Sequence, residues 1–292
     1  MRAVVVAVSV AALLSGYSEA AIVSEPSSLG AKRPAPVRVV AAGDIATCGE
    51  SHDTATGNLV RALAPRAVLT LGDNAYDEGS LAQFACYDAA WGSFRGRTFP
   101  SPGNHDYGTS GAAGYFEYFG SRAPAPYYSF NLGAWHLVSL NSEVDHGEGS
   151  EQVRWLRADL RADRHRCELL YWHRPRWSGG RHGSDPGVQP FWQAAYDRRV
   201  ELVLTGHDHN YQRFAKQDAE GRRSDVRGVR HIVVGTGGRG LYSTGSIANR
   251  RAANTANHGV LALVLRWRSY DTRFVPVGSS SYRDRLRKAA CA

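Results

Sequence analysis

Thiols are scarce in this 292-residue sequence, and the four that occur, Cys48, Cys86, Cys167 and Cys291, include no closely spaced pair. That excludes the short-spaced cysteine knuckles that hold structural zinc. Lysine is nearly missing too: only Lys32, Lys216 and Lys288 occur, and the net charge of +8 comes from arginines interleaved with acids, as in Arg157, Asp159, Arg161, Asp163 and Arg164. With no dense basic block and no aromatic interleaving, a dedicated nucleic-acid surface is not expected, whereas a general attraction for anionic small molecules is. There is no Gly-x-Ser-x-Gly nucleophile elbow, and the glycine-rich stretch 235–240 lacks the Lys-Ser/Thr that completes a phosphate loop. Long apolar runs are missing as well. The run that comes nearest, residues 3–14 interrupted by Ser9, falls short of the about 18 to 20 residues that span a bilayer, so no stable membrane anchor is expected.

What is present around that run reads as an export signal. Arg2 supplies a positive end, 3–14 the apolar segment, and Ser18, Glu19 and Ala20 a small-residue cleavage site, which predicts a signal peptide over 1–20 and a secreted or periplasmic protein. Residues 21–36, rich in Ser and Pro towards their end, read as a flexible lead-in, 37–278 as one catalytic-size domain, and 279–292 as a basic peripheral tail. In an exported chain the four cysteines predict two disulfides out of three possible pairings, with free buried thiols as the other reading.

Five short apolar runs each end in a polar, often glycine-marked turn. Residues 37–41 lead into Gly43-Asp44, 68–71 into Gly72-Asp73, 97–100 into Gly103-Asn104, 169–172 into His173, and 202–205 into Gly206-His207. Loops held at the ends of buried strands are where a rigid scaffold places chemistry. Helices are predicted between them over 54–64, over 151–163 with Ser150 as N-cap and Val153, Leu156 and Leu160 on one stripe, and over 191–199 after Pro190. A hairpin over 127–132 and 135–140, and strands over 231–234, 260–265 and 268–275, complete the pattern. Strands outnumber helices, so the expected class is a mixed α/β sandwich of two sheets with helices outside.

The turn residues make a donor set. Asp44, Asp73, Tyr76, Asn104, His173, His207 and His209 offer carboxylate, phenol, amide and imidazole, a shell that suits divalent or trivalent first-row metals and excludes a soft-metal thiolate site. Seven side chains are too many for one ion. Two ions sharing one carboxylate would accommodate them, and Asp73 is the natural bridge because Gly72 permits a tight turn before it.

In order and spacing these strings, Gly43-Asp44, the block 72–76 ending in Tyr76, Gly103-Asn104-His105-Asp106, Trp172-His173 and Gly206-His207-Asp208-His209, resemble the metallophosphoesterases, and among them the purple acid phosphatases, over about residues 37–240. The resemblance implies an αββα two-sheet fold. It places Asp44, Asp73, Tyr76 and His209 on one ion, and Asp73, Asn104, His173 and His207 on the other. Tyr76 implies Fe(III) at the first position, with Zn, Mn or Fe(II) at the second. Because Cys48 and Cys86 both follow closely on motifs that would meet at one site, their pairing is favoured, leaving Cys167 for Cys291.

The implied reaction is hydrolysis of phosphate esters of small molecules, the attack coming in line from a hydroxide activated on the metals rather than from a side chain. His105 is expected to contact phosphate or protonate the leaving group, Asp106 to fix its tautomer, and His182 to reach substrate as an outer histidine. A phosphomonoesterase is the leading expectation and a phosphodiesterase the alternative. A non-catalytic metal-binding or nucleic-acid-binding protein ranks below both. His52, His136, His146, His165, His231 and His258 lie outside these motifs, and His136 and His258, which border apolar runs, read as hydrogen-bonded packing residues.

Overall fold

The computed structural model describes residues 33–291, so the expected signal peptide and most of the lead-in lie outside the described residues. The chain begins with β1 (Val37–Ala42), β2 (Ala46–Thr47), α1 (His52–Leu63), β3 (Ala67–Leu71), β4 (Ala75–Tyr76), α2 (Leu81–Trp91), β5 (Thr98–Ser101) and α3 (Ala113–Phe119). It continues through β6 (Tyr128–Leu132), β7 (Trp135–Ser139), α4 (Glu151–Ala162), β8 (Cys167–Tyr171), α5 (Gln189–Arg198), β9 (Leu202–Thr205) and β10 (Tyr211–Gln217). The last elements are β11 (Val229–Val234), β12 (Arg250–Asn254), β13 (Gly259–Leu265), β14 (Ser269–Pro276) and β15 (Arg285–Ala290).

Two main sheets result, with strand orders β15-β14-β13-β1-β3-β5 and β12-β10-β11-β9-β8-β7-β6. The central strands run parallel, β1 with β3 and β3 with β5 in one sheet, and β7, β8, β9 and β11 in the other. Alternation along the second sheet decides its two faces. Leu137, Leu169, Tyr171, Leu202 and Leu204 join the core shared with the first sheet, while Val138, Leu170 and Val203 join the layer under α4 and α5. Both faces being covered, these strands read as continuous apolar runs. On the first sheet, α1 packs against α2 and β13. The αββα sandwich expected from the sequence is the architecture found.

Local chemistry accounts for the helix positions. In α4 the Ser150 hydroxyl accepts from the Val153 N–H at 3.2 Å, and Val153, Leu156 and Leu160 are buried, a stripe in which each side chain stabilises by about 1.5 to 3 kcal/mol. The unanticipated helix α2 carries a capping box between Ser80 and Gln83, a local signal that its nearly all-round apolar surface hid.

One boundary needs correction. Within the stretch expected as a peripheral tail, Arg285–Ala290 pairs antiparallel with β14 as the edge strand, and Cys291 is bonded to Cys167. Leu286 and Ala289 reach the core while Arg285, Arg287 and Lys288 point outward, so charges that guard a sheet edge masked the strand. Cys48 pairs with Cys86. No described helix is long and apolar enough to cross a membrane.

Candidate metal centre

Every expected donor except Tyr76 lies just past the C-terminal end of a parallel strand: Asp44 after β1, Asp73 after β3, Asn104 after β5, His173 after β8, and His207 and His209 after β9. Tyr76 comes from β4, which pairs with β2 beside the Asp44 loop. Backbone bonds stitch the loops together. The N–H groups of Asp44 and Ile45 donate to the carbonyls of Gly72 and Asp73 at 3.1 and 2.9 Å, and the Gly43 N–H reaches Val234 of the other sheet at 2.9 Å. Close approach demands glycine at two points. Gly72 has φ +85° and a Cβ there would lie 2.4 Å from His173 Nδ1, while one on Gly103 would lie 2.4 Å from Asp73 Oδ1.

The seven donors converge, and they face each other with more lone pairs than hydrogens. Tyr76 has a single O–H, yet its oxygen lies 3.0 Å from Asp44 Oδ1, 3.0 Å from Asp73 Oδ2 and 3.2 Å from His209 Nε2. His173 Nε2 lies 3.2 Å from both Asp73 Oδ2 and Asn104 Oδ1 and 3.1 Å from His207 Nδ1. Asp73 Oδ2 therefore touches both groups. The far nitrogens are fixed by backbone carbonyls: His173 Nδ1 meets Leu71 at 2.9 Å and His209 Nδ1 meets Gly240 at 2.9 Å. Each Nε2 is thus aimed inward, the outer-shell arrangement that orients imidazole ligands.

Electrostatics give the same picture. Burial drives the Asp44 carboxyl and the Tyr76 phenol well above their ordinary ranges, the latter reinforced by Asp44. Asp73, equally buried, is held below the usual carboxylate range by His173, and that imidazole, despite its burial, is lifted to about 10 by Asp73. Burial pushes His207 down to about 2 and His209 down to about 4. Without ions, one imidazolium and retained protons have to supply the missing positive charge. Cations would displace those protons, and the mixed oxygen and nitrogen donors fit a pair of hard or borderline ions sharing Asp73.

Around this centre the expected substrate-facing residues divide. His105 lies over the Tyr76 ring, centroids 4.4 Å apart, with Nε2 4.0 Å from Asp73 Oδ2. Asp106 is not behind it, which corrects the expected pairing. The Asp106 carboxylate turns inward to accept from the N–H groups of Asn74 and Gly103 at 3.1 and 2.9 Å and from the Asn74 amide at 2.9 Å. The Asp77 carbonyl meets His105 Nδ1 instead, at 2.5 Å. Burial, with Asp73 nearby, raises Asp106 to about 7. It holds the turn that carries Asn104 and His105.

His182 is exposed, and its ring lies tilted against that of His207, centroids 4.3 Å apart. Asp208 anchors its loop, accepting from the His182 N–H at 2.9 Å, from the Ser178 hydroxyl, and from the Tyr242 hydroxyl at 3.1 Å. Two rim residues escaped the sequence reading. Tyr242 lies 4.8 Å from the His209 ring, and the Arg239 guanidinium sits 4.6 Å over the Tyr76 ring while binding Asp77 Oδ1 at 2.7 Å. Arg239 lies within, and Tyr242 just after, the glycine-rich stretch 235–240 that follows β11, whose position near the centre was the available signal.

Comparison with known proteins identifies the family. The calcineurin-like phosphoesterase family model matches residues 37–211, which include all seven donors. Purple acid phosphatase 18 of Arabidopsis thaliana is 33% identical over 118 residues, 38% of this chain and 26% of that protein, so the chain matches about a quarter of that relative's length. Purple acid phosphatase PPD1 from yellow lupin seeds superposes with a TM-score of 0.73 at 17% identity, covering 87% of this chain and 54% of that one. GAP50 of Plasmodium superposes at 0.70 with 14% identity, covering 88% and 89%. The chain belongs to the calcineurin-like phosphoesterases, and purple acid phosphatases are among the members it is similar to.

Proposed function

We propose that the protein is a dinuclear-metal phosphomonoesterase, exported to an oxidising compartment where its two disulfides persist. The observation that carries this reading is the meeting of Asp44, Tyr76 and His209 on one side of Asp73 Oδ2 with His173, Asn104 and His207 on the other. In this reading Asp44, Asp73, Tyr76 and His209 would hold Fe(III), and Asp73, Asn104, His173 and His207 would hold Zn, Mn or Fe(II). Such ions supply Lewis acidity, lowering the pKa of a water and drawing charge from phosphate oxygens.

The chain's own groups do the rest. His105, its Nδ1 oriented by the Asp77 carbonyl, turns Nε2 to the centre, where it binds a phosphate oxygen or delivers a proton to the departing alkoxide. His182, on a loop tied down by Asp208, contacts the ester from the His207 side. The deep burial of Asp44, Asp73 and His173 excludes bulk water from behind the reacting phosphate.

Activity on p-nitrophenyl phosphate tests this. It should vanish when ions are stripped and return when they are restored, and full activity of stripped protein contradicts the proposal. Parallel rates on the bis(p-nitrophenyl) ester decide between mono- and diesterase. GAP50 is described as an anchor of the Plasmodium inner membrane complex, so a non-hydrolytic role for this fold is a real outcome, and metal binding without turnover would select it.

A further inference from the structure

The starts of β7 and β8 lie at the opposite end of the second sheet from His173, and there they meet the C-terminal end of α4. His136, Asp163 and His165 each bring one potential ligand atom to within 4.8 Å of the others. His136 Nδ1 is 3.7 Å from Asp163 Oδ1 and 2.7 Å from Asn131 Oδ1, and Asp163 Oδ1 is 2.6 Å from His165 Nδ1. We propose that this cluster is a separate site for one zinc-like divalent cation, bound by His136 Nδ1, Asp163, His165 and the Asn131 carbonyl oxygen.

The donor chemistry fits, since two imidazoles, a carboxylate and an amide oxygen are borderline ligands suited to Zn²⁺. The outer shell fits as well. His136 Nε2 donates to Asp159 Oδ2 at 2.7 Å, and Asp159 is itself held by the Ser129 hydroxyl at 2.8 Å, so a carboxylate fixes the imidazole from its far nitrogen and turns Nδ1 to the cluster. Asp159, Asp163 and Glu168 all bear on His136, and of the four arginines that line the pocket with His165 (Arg164, Arg166, Arg198 and Arg199) Arg198 is engaged with Glu168 at 3.0 Å.

Distances need only small adjustment, because a tetrahedral shell with bonds of about 2.0 Å spaces its donors by about 3.3 Å. The tight Asp163 to His165 contact has to open. His165, with a side chain 28% exposed beside two that are 6 to 7% exposed, is the ligand free to swing and the route of entry. A cation there would tie β7 to the turn joining α4 and β8, next to the Cys167–Cys291 bridge. It would act as a fold clamp remote from the hydrolytic centre.

The test is metal stoichiometry in the full chain. Wild type, His165→Ala and Asp163→Asn are stripped, reloaded with Zn²⁺, freed of excess by gel filtration and assayed by elemental analysis. Each variant should retain one zinc per chain fewer than wild type. Each should also show a smaller zinc-induced rise in Tm, with turnover of p-nitrophenyl phosphate unchanged. Asp73→Ala should lose the ions of the main centre and keep this one, so failure of the hydrolase reading leaves the difference readable. Equal zinc content in wild type and both variants overturns the proposal and leaves His136 held by its hydrogen bonds to Asp159 and Asn131 alone.

Discussion

Under α4 and α5 the second sheet presents Val138, Leu170, Trp172 and Val203 to an apolar layer completed by Val153, Leu156, Phe191 and Trp192. Beyond the strand ends, a few residues away, Asp44, Asp73 and His207 take left-handed backbone conformations at φ 60°, 49° and 69° and bury polar groups among more acceptors than donors. Left-handed geometry in a non-glycine residue costs about 1 to 3 kcal/mol, and buried carboxylates add to it. The first region is self-sufficient. The second is held in place by the first, and its arrangement makes sense when cations complete it.

That contrast can be broken or sharpened by substitution. Asp73→Ala should have the largest effect, a loss of at least about 10³-fold in kcat/KM with loss of bound metal, because one carboxylate serves both ions. Its Tm without metal should fall as well, since the buried His173 imidazolium loses the carboxylate that sustains it; steady-state kinetics beside calorimetry would check both. Leu156→Ala should do the reverse, lowering stability by about 2 to 5 kcal/mol in a denaturant titration while turnover per folded molecule is kept.

Tyr76→Phe should come next, with turnover reduced about 10- to 100-fold, on the scale of other perturbed metal shells, and with any visible tyrosinate-to-iron band abolished. An unchanged spectrum in that variant would remove Tyr76 from the iron. Ser150→Ala should be the mildest, costing about 1 kcal/mol of stability through the lost helix cap and leaving kinetics untouched. A variant of the apolar layer that altered KM, or a donor variant that kept its bound metal and its turnover, would dissolve the distinction between the two regions.

The sequence made the regions legible in different ways. Buried parallel strands announced themselves as apolar runs ending at Gly43, Gly72, Gly103 and Gly206, and the spacing of the motifs brought seven donors to one place that composition alone would have left scattered. What stayed hidden was of three kinds. Strand β15 was disguised by outward arginines, and helix α2 lacked a stripe although Ser80 and Gln83 marked its start. Arg239 and Tyr242 reach the rim through tertiary packing that only the glycines of 235–240 hint at. Asp106 was misassigned because proximity in sequence to His105 suggested a contact, whereas the tight turn points its carboxylate back at Gly103 and Asn74.

The measurement that bears most directly on the centre is anomalous diffraction from crystals of the metal-loaded protein. The account predicts two peaks roughly 3.5 to 4 Å apart astride the Asp73 carboxylate, one beside Tyr76 and His209 and the other beside Asn104, His173 and His207. A single peak, or none among these side chains in protein that still hydrolyses phosphate esters, would contradict it.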